Sequence, residues 1–120
     1  KITNGKTGEY YIGKKNVLST RKRNFGKKEI ALLTDKRLKT YEMITKESDW
    51  KQYRSSNKQV QEWFTDIDND QLELKILRFC TNTKSLTYYE LQEQFSHDVL
   101  ADKLALNDNL LGKFFRKDLE

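Results

Sequence analysis

Two glutamates, Glu90 and Glu93, have surroundings in which a carboxylate could carry chemistry. They lie within residues 85 to about 100, where apolar side chains recur at helical spacing on two nearly opposite sides. A helix with two apolar sides packs against structure on both, so we expect these carboxylates to lie close to the interior. The apolar residues that we expect to be buried are the stripe Tyr88, Leu91, Phe95 and Val99 and a second group of Leu86, Tyr89 and Leu100.

A run of positively charged residues is the second feature that could take part in chemistry. The chain carries 23 Lys and Arg against 18 Asp and Glu, a net charge of +5, and its pI is about 9.2. This balance indicates a nucleic-acid partner, with a basic surface kept for solubility as the alternative. Residues 14–28 contain no acid and seven of the cations: Lys14, Lys15, Arg21, Lys22, Arg23, Lys27 and Lys28.

The remaining composition excludes several classes of protein. Cys80 is the only cysteine and His97 the only histidine, so an internal disulfide, a thiolate zinc cluster and a multi-histidine metal site are all excluded. No apolar run approaches the ~18 residues of a membrane span. We therefore expect a chain in the reducing cytoplasm, with no membrane partner.

The elements that position these residues follow from local patterns. Residues 1–13 predict a β-hairpin, because turn-forming residues at 4–8 separate two short stretches typical of strands. Residues 57–66 predict a helix, preceded by polar residues that could cap it. Residues 71–79 alternate between apolar and polar side chains, which predicts a third strand.

These elements predict a fold of the α/β or, more closely, α+β class. We expect a small, mainly antiparallel sheet of three strands, flanked by helices, within a single domain over residues 1–120. Residues 26–46 form a poorly determined basic insertion, in which a short helix could carry Ile30, Leu32, Leu33 and Leu38. The tail from residue 107, with Leu110-Leu111 and Phe114-Phe115, should pack back onto the domain.

Several blocks of sequence, in order, resemble the GIY-YIG nucleases. A glycine-containing turn after residues 1–4 leads to Tyr11-Ile12-Gly13, Arg21 follows, and a later helix carries Tyr88-Tyr89-Glu90. Some blocks are similar to those of small phage nucleases of this family: residues 11–15 (YIGKK), 47–51 (ESDWK), 53–56 (YRSS) and 86–90 (LTYYE).

The resemblance implies an endonuclease that hydrolyses phosphodiester bonds in DNA with Mg²⁺ or Mn²⁺. Negative charge grows on the phosphate oxygens during this reaction, and a cation held by a carboxylate neutralises part of it. By the resemblance, Glu90 is the metal ligand, Arg21 the phosphate clamp and Tyr11 the proton acceptor or water-orienting group. Glu93 remains the rival ligand and Arg23 the rival clamp.

The partner that the resemblance implies is DNA, and its backbone should follow the basic run. A family asparagine near the C-terminus corresponds to Asn107 or Asn109. The expected DNA contacts are Lys14, Lys15, Arg23, Lys27, Lys28, Tyr53, Arg54, Ser55 and Asn109.

Two departures from the family pattern favour an alternative function. The tyrosine of the first motif would precede Lys1, and Phe25 and Tyr53 stand near the places of two histidines. A module that kept the fold and binds nucleic acid without cutting it is therefore the first alternative. The second is an interaction protein whose basic surface meets an acidic protein.

Overall fold

A computed structural model describes residues 1–32 and 39–119, except for the side chain of Asn69. The elements in chain order are β1 (Ile2–Asn4), β2 (Tyr10–Tyr11), β3 (Leu18–Asn24), α1 (Lys27–Ala31), β4 (Tyr41–Glu47), α2 (Lys58–Asp66), β5 (Leu72–Leu74), α3 (Thr83–Ser96), β6 (Asn109–Leu110) and β7 (Phe114–Phe115). Single 3-10 turns occupy Trp50–Gln52, Asn69–Gln71 and Arg116–Asp118.

The chain divides into two compact units. The larger unit comprises Lys1–Lys14 and Tyr53–Glu120, and the second, here called the ribbon unit, comprises Lys15–Gln52. Our prediction of a single nuclease domain with a basic insertion at 26–46 stays a prediction. None of the helices in the described part of the chain has the length and apolar character that a membrane span requires.

A three-stranded antiparallel sheet organises the larger unit, in the order β2-β1-β5. Ile2 pairs with Tyr11 of β2 on one side and with Leu74 of β5 on the other. The predicted α+β class is therefore confirmed, including the hairpin and the third strand. The third strand, β5, is shorter than predicted, because its regular pairing with β1 ends at Leu74. One further hydrogen bond follows, from the Lys75 N–H to the Lys1 carbonyl (2.8 Å).

The helix α2 forms where the sequence predicts one. The Asn57 side chain caps it by accepting from the backbone N–H groups of Gln59 (2.9 Å) and Val60 (3.2 Å). Val60 and Trp63, three residues apart, lie on one face of the helix and are buried. They pack with Ile2 and Leu72 as one of two hydrophobic clusters, so this helix covers the sheet.

The helix α3 is placed correctly by the sequence, but its predicted buried stripe is wrong for two of four residues: Leu91 packs against a hydrophobic cluster and Val99 is buried, whereas Tyr88 and Phe95 are not. Tyr88 and Phe95 are exposed by 64% and 62%, and the helix ends before Val99, which is buried outside it. The buried residue of the helix is instead the polar Gln94. Because apolar side chains occur on both sides of this helix, their spacing could not identify the side that packs.

The tail after Asn107 packs back onto the larger unit, as predicted, although Leu111 and Phe114 are exposed by 50% and 58%. Leu110 is buried in the second hydrophobic cluster, with Tyr10, Ile12, Val99, Leu100 and Ala105. The Arg116 guanidinium donates to four backbone carbonyls between 2.6 and 3.0 Å away, those of Val99, Asp102, Ala105 and Asn107. One side chain therefore holds residues 99–107 in a fixed loop.

The ribbon unit contains two strands that the sequence did not predict. β3 and β4 form a two-stranded antiparallel ribbon, whose register runs from Leu18 opposite Glu47 to Asn24 opposite Tyr41. The predicted short helix is present as α1 and includes Ile30. Leu32 follows it in a turn, whereas Leu33 and Leu38 lie outside the described residues.

Candidate active site

Gly13 is the point around which the candidate site is built. It follows β2, and a Cβ added there would lie 2.5 Å from the Tyr53 hydroxyl oxygen and 2.7 Å from Cε1 of Tyr11. Distances this short are incompatible with a real Cβ, so only glycine lets the two phenols approach the backbone here. The Tyr11 hydroxyl also lies 3.4 Å from the Ser56 hydroxyl.

Tyr53 differs from Tyr11 in its electrostatic surroundings. Burial of Tyr53 raises the pKa of its phenol well above the ordinary value, and the neighbouring acidic groups of Tyr11 and Glu90 raise it further. Tyr53 therefore stays protonated throughout the physiological range, and its hydroxyl keeps a hydrogen to donate.

Glu90 joins this group from α3. Burial raises the pKa of its carboxyl group, and the ammonium charge and the backbone N–H of Lys14 offset part of that rise. The Lys14 ammonium also donates to the Thr87 hydroxyl at 2.6 Å, three residues before Glu90. Lys14 thereby links the chain after β2 to the same helix, and the larger unit brings Tyr11, Lys14, Tyr53 and Glu90 together.

Two buried amides hold the backbone between Tyr11 and Gly13. The Asn107 amide accepts from the Ile12 N–H (3.1 Å) and donates to the Ile12 carbonyl (2.8 Å). Gln94 donates to the same carbonyl at 3.0 Å. Sequence reasoning missed Gln94, although its place one helical turn after Glu90 puts both residues on neighbouring parts of one helix surface.

The expected cations of the basic run lie mostly in the ribbon unit. Arg21 is exposed on β3 opposite Ile44, and Lys27 and Lys28 are exposed on α1. Lys15 forms an ion pair with Asp49 at 2.9 Å. Arg23 pairs with Glu42 (2.6 Å) and Glu29 (3.2 Å), so much of its hydrogen-bonding capacity is already used.

The other expected DNA contacts of the larger unit have local partners. The Arg54 guanidinium lies over the Phe64 ring, 5.3 Å from its centroid. The Ser55 hydroxyl accepts from the Asn57 N–H at 3.0 Å, and Ser55 adopts a positive φ of 67°. The side-chain Oδ1 of Asn109 accepts from the Gly112 N–H at 2.9 Å, within the turn between β6 and β7.

Comparison with protein families identifies the chain. A family model described as "Putative endonuclease segE, GIY-YIG domain" matches residues 1–115 of the 120. The chain belongs to this GIY-YIG family. No curated protein and no solved structure shows significant similarity to it. The family resemblance stated from the sequence blocks is therefore confirmed.

Within this GIY-YIG domain, the two candidate carboxylates have different neighbours. Glu90 lies beside Lys14 and Tyr53. Glu93 lies beside His97, whose Nδ1 is 3.9 Å from the carboxylate and 2.8 Å from the Glu93 carbonyl oxygen. The rival ligand is thus associated with a different cluster of side chains.

The donor set fits a magnesium-type cation better than a zinc-type one. Among the described residues of the GIY-YIG domain, no three His, Cys, Asp or Glu side chains come close enough to hold a metal ion together. Mg²⁺ is commonly bound by one or two carboxylates, keeping several waters and taking the remaining ligands from substrate phosphate. The half-buried carboxylate of Glu90 is the type of ligand that Mg²⁺ takes, whereas a structural zinc site requires four protein ligands.

Proposed function

We propose that the chain is a divalent-metal-dependent endonuclease that hydrolyses phosphodiester bonds in DNA, with Glu90 as the metal ligand. The observation that carries the proposal is the close approach of Tyr11 and Tyr53 at Gly13, with Glu90 beside Tyr53. When bound, Mg²⁺ or Mn²⁺ would neutralise negative charge that develops on the phosphate oxygens.

The two phenols take opposite hydrogen-bonding roles in this proposal. Tyr53 keeps its proton, because burial raises its pKa, and donates to a phosphate oxygen. Tyr11 orients the attacking water or accepts its proton, as the family resemblance implies. Arg21 keeps the role of phosphate clamp that the family resemblance implies, and that role stays a prediction.

Glu90 is held ready for this role by two features of its surroundings. Its backbone belongs to a fourteen-residue helix, and the backbone N–H and the ammonium charge of Lys14 favour the ionised form of its carboxyl group. Partial burial makes the ionised carboxylate less stable than it is in water, so a cation that binds it relieves that cost. The same burial excludes competing water from part of the site.

Nicking of supercoiled plasmid by the full chain tests the proposal. We expect cleavage with Mg²⁺ or Mn²⁺, none with a chelator, and a loss of about 10²-fold or more in Glu90→Gln. The matched variant Glu93→Gln changes the neighbouring carboxylate on the same helix and should cut at nearly the wild-type rate. Equal losses in both variants would refute the assignment of Glu90.

The Glu90→Gln variant should not fail by unfolding. A carboxyl pKa that is raised in the folded state weakens folding above that pKa, and the penalty disappears once the group is protonated in both states. Glu90→Gln should therefore be at least as stable as the wild type at neutral pH. Its advantage should vanish as the pH falls below the ordinary carboxyl range, as measured by thermal unfolding across pH.

The alternative of a non-cutting DNA-binding module is a distinct outcome of the same experiment. It would be supported if the full chain binds duplex DNA at low salt but leaves plasmid intact with either metal ion. Binding without cleavage would overturn the enzyme proposal while leaving DNA as the partner.

A further inference from the structure

The net positive charge of the chain comes from the ribbon unit. Lys15–Gln52 contains 11 Lys and Arg against five Asp and Glu, a net charge of +6, whereas the rest of the chain carries −1. A phosphate backbone would therefore be attracted chiefly to this unit.

The strand register divides the ribbon into two different faces. Side chains of directly paired residues point to the same side, and successive residues alternate. One side, here called the Thr20 face, carries the pairs Leu18–Glu47, Thr20–Thr45, Lys22–Met43 and Asn24–Tyr41. On the opposite side, Arg23 is held by Glu42 and Glu29.

The Thr20 face carries a row of side chains that differ in their hydrogen-bonding groups. Thr20, Lys22, Asn24 and Thr45 are all exposed, as is the apolar Met43. The Thr20 and Thr45 hydroxyls lie 3.2 Å apart and share a hydrogen bond, which leaves one hydroxyl hydrogen and several lone pairs available. The Lys22 ammonium lies 4.2 Å from the centroid of the Tyr41 ring, which restricts where it can reach.

These features match the major groove of duplex DNA. That groove accepts a two-stranded β-ribbon, and its base edges offer donors, acceptors and the thymine methyl group. Lysine suits guanine, asparagine suits adenine, threonine suits either, and an apolar side chain suits thymine. Strands of seven residues span about 23 Å, or roughly seven base-pair steps.

We propose that the Thr20 face enters the major groove of duplex DNA and reads base edges there. Exposed lysines next to the ribbon, such as Lys27, Lys28 and Lys39, contact the phosphates on either side of the groove. This inference rests on the proposed function in taking DNA as the partner. It adds that the preference for a base sequence resides in β3 and β4.

Selection from duplexes with a randomised central segment tests the proposal. The full chain carrying Glu90→Gln is used without divalent metal, so that binding is measured apart from cleavage. We expect one sequence to be enriched. Thr20→Val with Thr45→Val should lower discrimination at one or two base positions about 10-fold, because hydroxyl contacts are lost and strand propensity is kept. Ser19→Ala, on the opposite side of β3, should leave the enriched sequence unchanged.

Substitution of the bases identifies the groove. Replacing a preferred guanine by 7-deazaguanine removes only the N7 acceptor, which faces the major groove, and should weaken binding about 10-fold. The proposal is overturned if no sequence is enriched, if the double variant selects the wild-type sequence, or if a minor-groove ligand displaces the protein instead. If the protein cleaves plasmid but shows no base preference, this inference is refuted and the proposed nuclease function stands. If it shows a base preference but no cleavage, the nuclease function is refuted and this inference stands.

Discussion

Gly13 carries a steric requirement that no other residue type meets. In Gly13→Ala, the new Cβ would overlap the Tyr53 hydroxyl and the Tyr11 ring, so both phenols must move. We expect a loss of about 1–3 kcal/mol in the free energy of unfolding, typical of overpacking. Cleavage should fall further, by about 10²-fold, because misplacement of reacting groups by about 1 Å has effects of that size.

Gly26→Ala is the matched control, since a Cβ there meets nothing within 4 Å and its φ of −72° suits alanine. Chemical denaturation and plasmid nicking of the two variants, side by side, make the comparison. If Gly13→Ala nicks plasmid at the wild-type rate, the close approach of the two phenols has no part in the reaction.

At this scale, the sequence indicated candidate residues by type and position, and their chemical roles stay predictions. Tyr11 and Glu90 were singled out through the family blocks, and the structure places both beside Tyr53. Gln94 escaped notice because a glutamine on a helix is ordinarily exposed, and its burial depends on a carbonyl 82 residues away in the chain. Local patterns carry no information about such a partner.

Among the elements, the strand that bears the site depends on two amides from elsewhere in the larger unit. Among residues 1–32 and 39–119, Asn107 alone accepts from the buried Ile12 N–H, whereas the Ile12 carbonyl accepts from both Asn107 and Gln94. In the described part of the chain, nothing donates to Oε1 of Gln94. The two amides should therefore contribute unequally to stability.

We expect Asn107→Ala to lower the free energy of unfolding by about 1–3 kcal/mol, because a buried N–H is left without an acceptor. Gln94→Met should lower it by less than about 1 kcal/mol, since one carbonyl donor remains and an unpaired oxygen is removed. Urea titrations measure both effects, and the slope of unfolding free energy against urea concentration should be the same as in the wild type. A larger loss in Gln94→Met than in Asn107→Ala would contradict this account.

Helices and strands could be predicted from the sequence where one side of the element packs against a hydrophobic core. α2 and the three-stranded sheet show the periodicity that burial imposes, and both were placed from the sequence. The strands β3 and β4 were missed because each is exposed along most of its length and so lacks an apolar alternation. The buried side of α3 was missed because its polar Gln94, rather than an aromatic stripe, faces inward.

At the scale of the molecule, charge and catalytic candidates are distributed unevenly. Tyr11, Tyr53 and Glu90 lie in the larger unit, whose net charge is −1, and the ribbon unit carries +6. A near-neutral surface gains little from phosphate attraction, so affinity for DNA should depend on the ribbon unit. The overall charge of +5, taken alone, could not locate the binding surface.

Salt dependence of binding provides the measurement. Each phosphate contact by a cation adds about 0.9 to the slope of log affinity against log salt concentration. We expect Lys27→Gln with Lys28→Gln to reduce that slope by about 2, because both lysines are exposed on α1. Lys113→Gln with Lys117→Gln removes the same charge from the larger unit and should leave the slope nearly unchanged. Anisotropy titrations of a labelled duplex, without divalent metal, give the slopes. Equal reductions from the two double variants would show that net charge alone drives binding, and the ribbon unit would then have no special part in it.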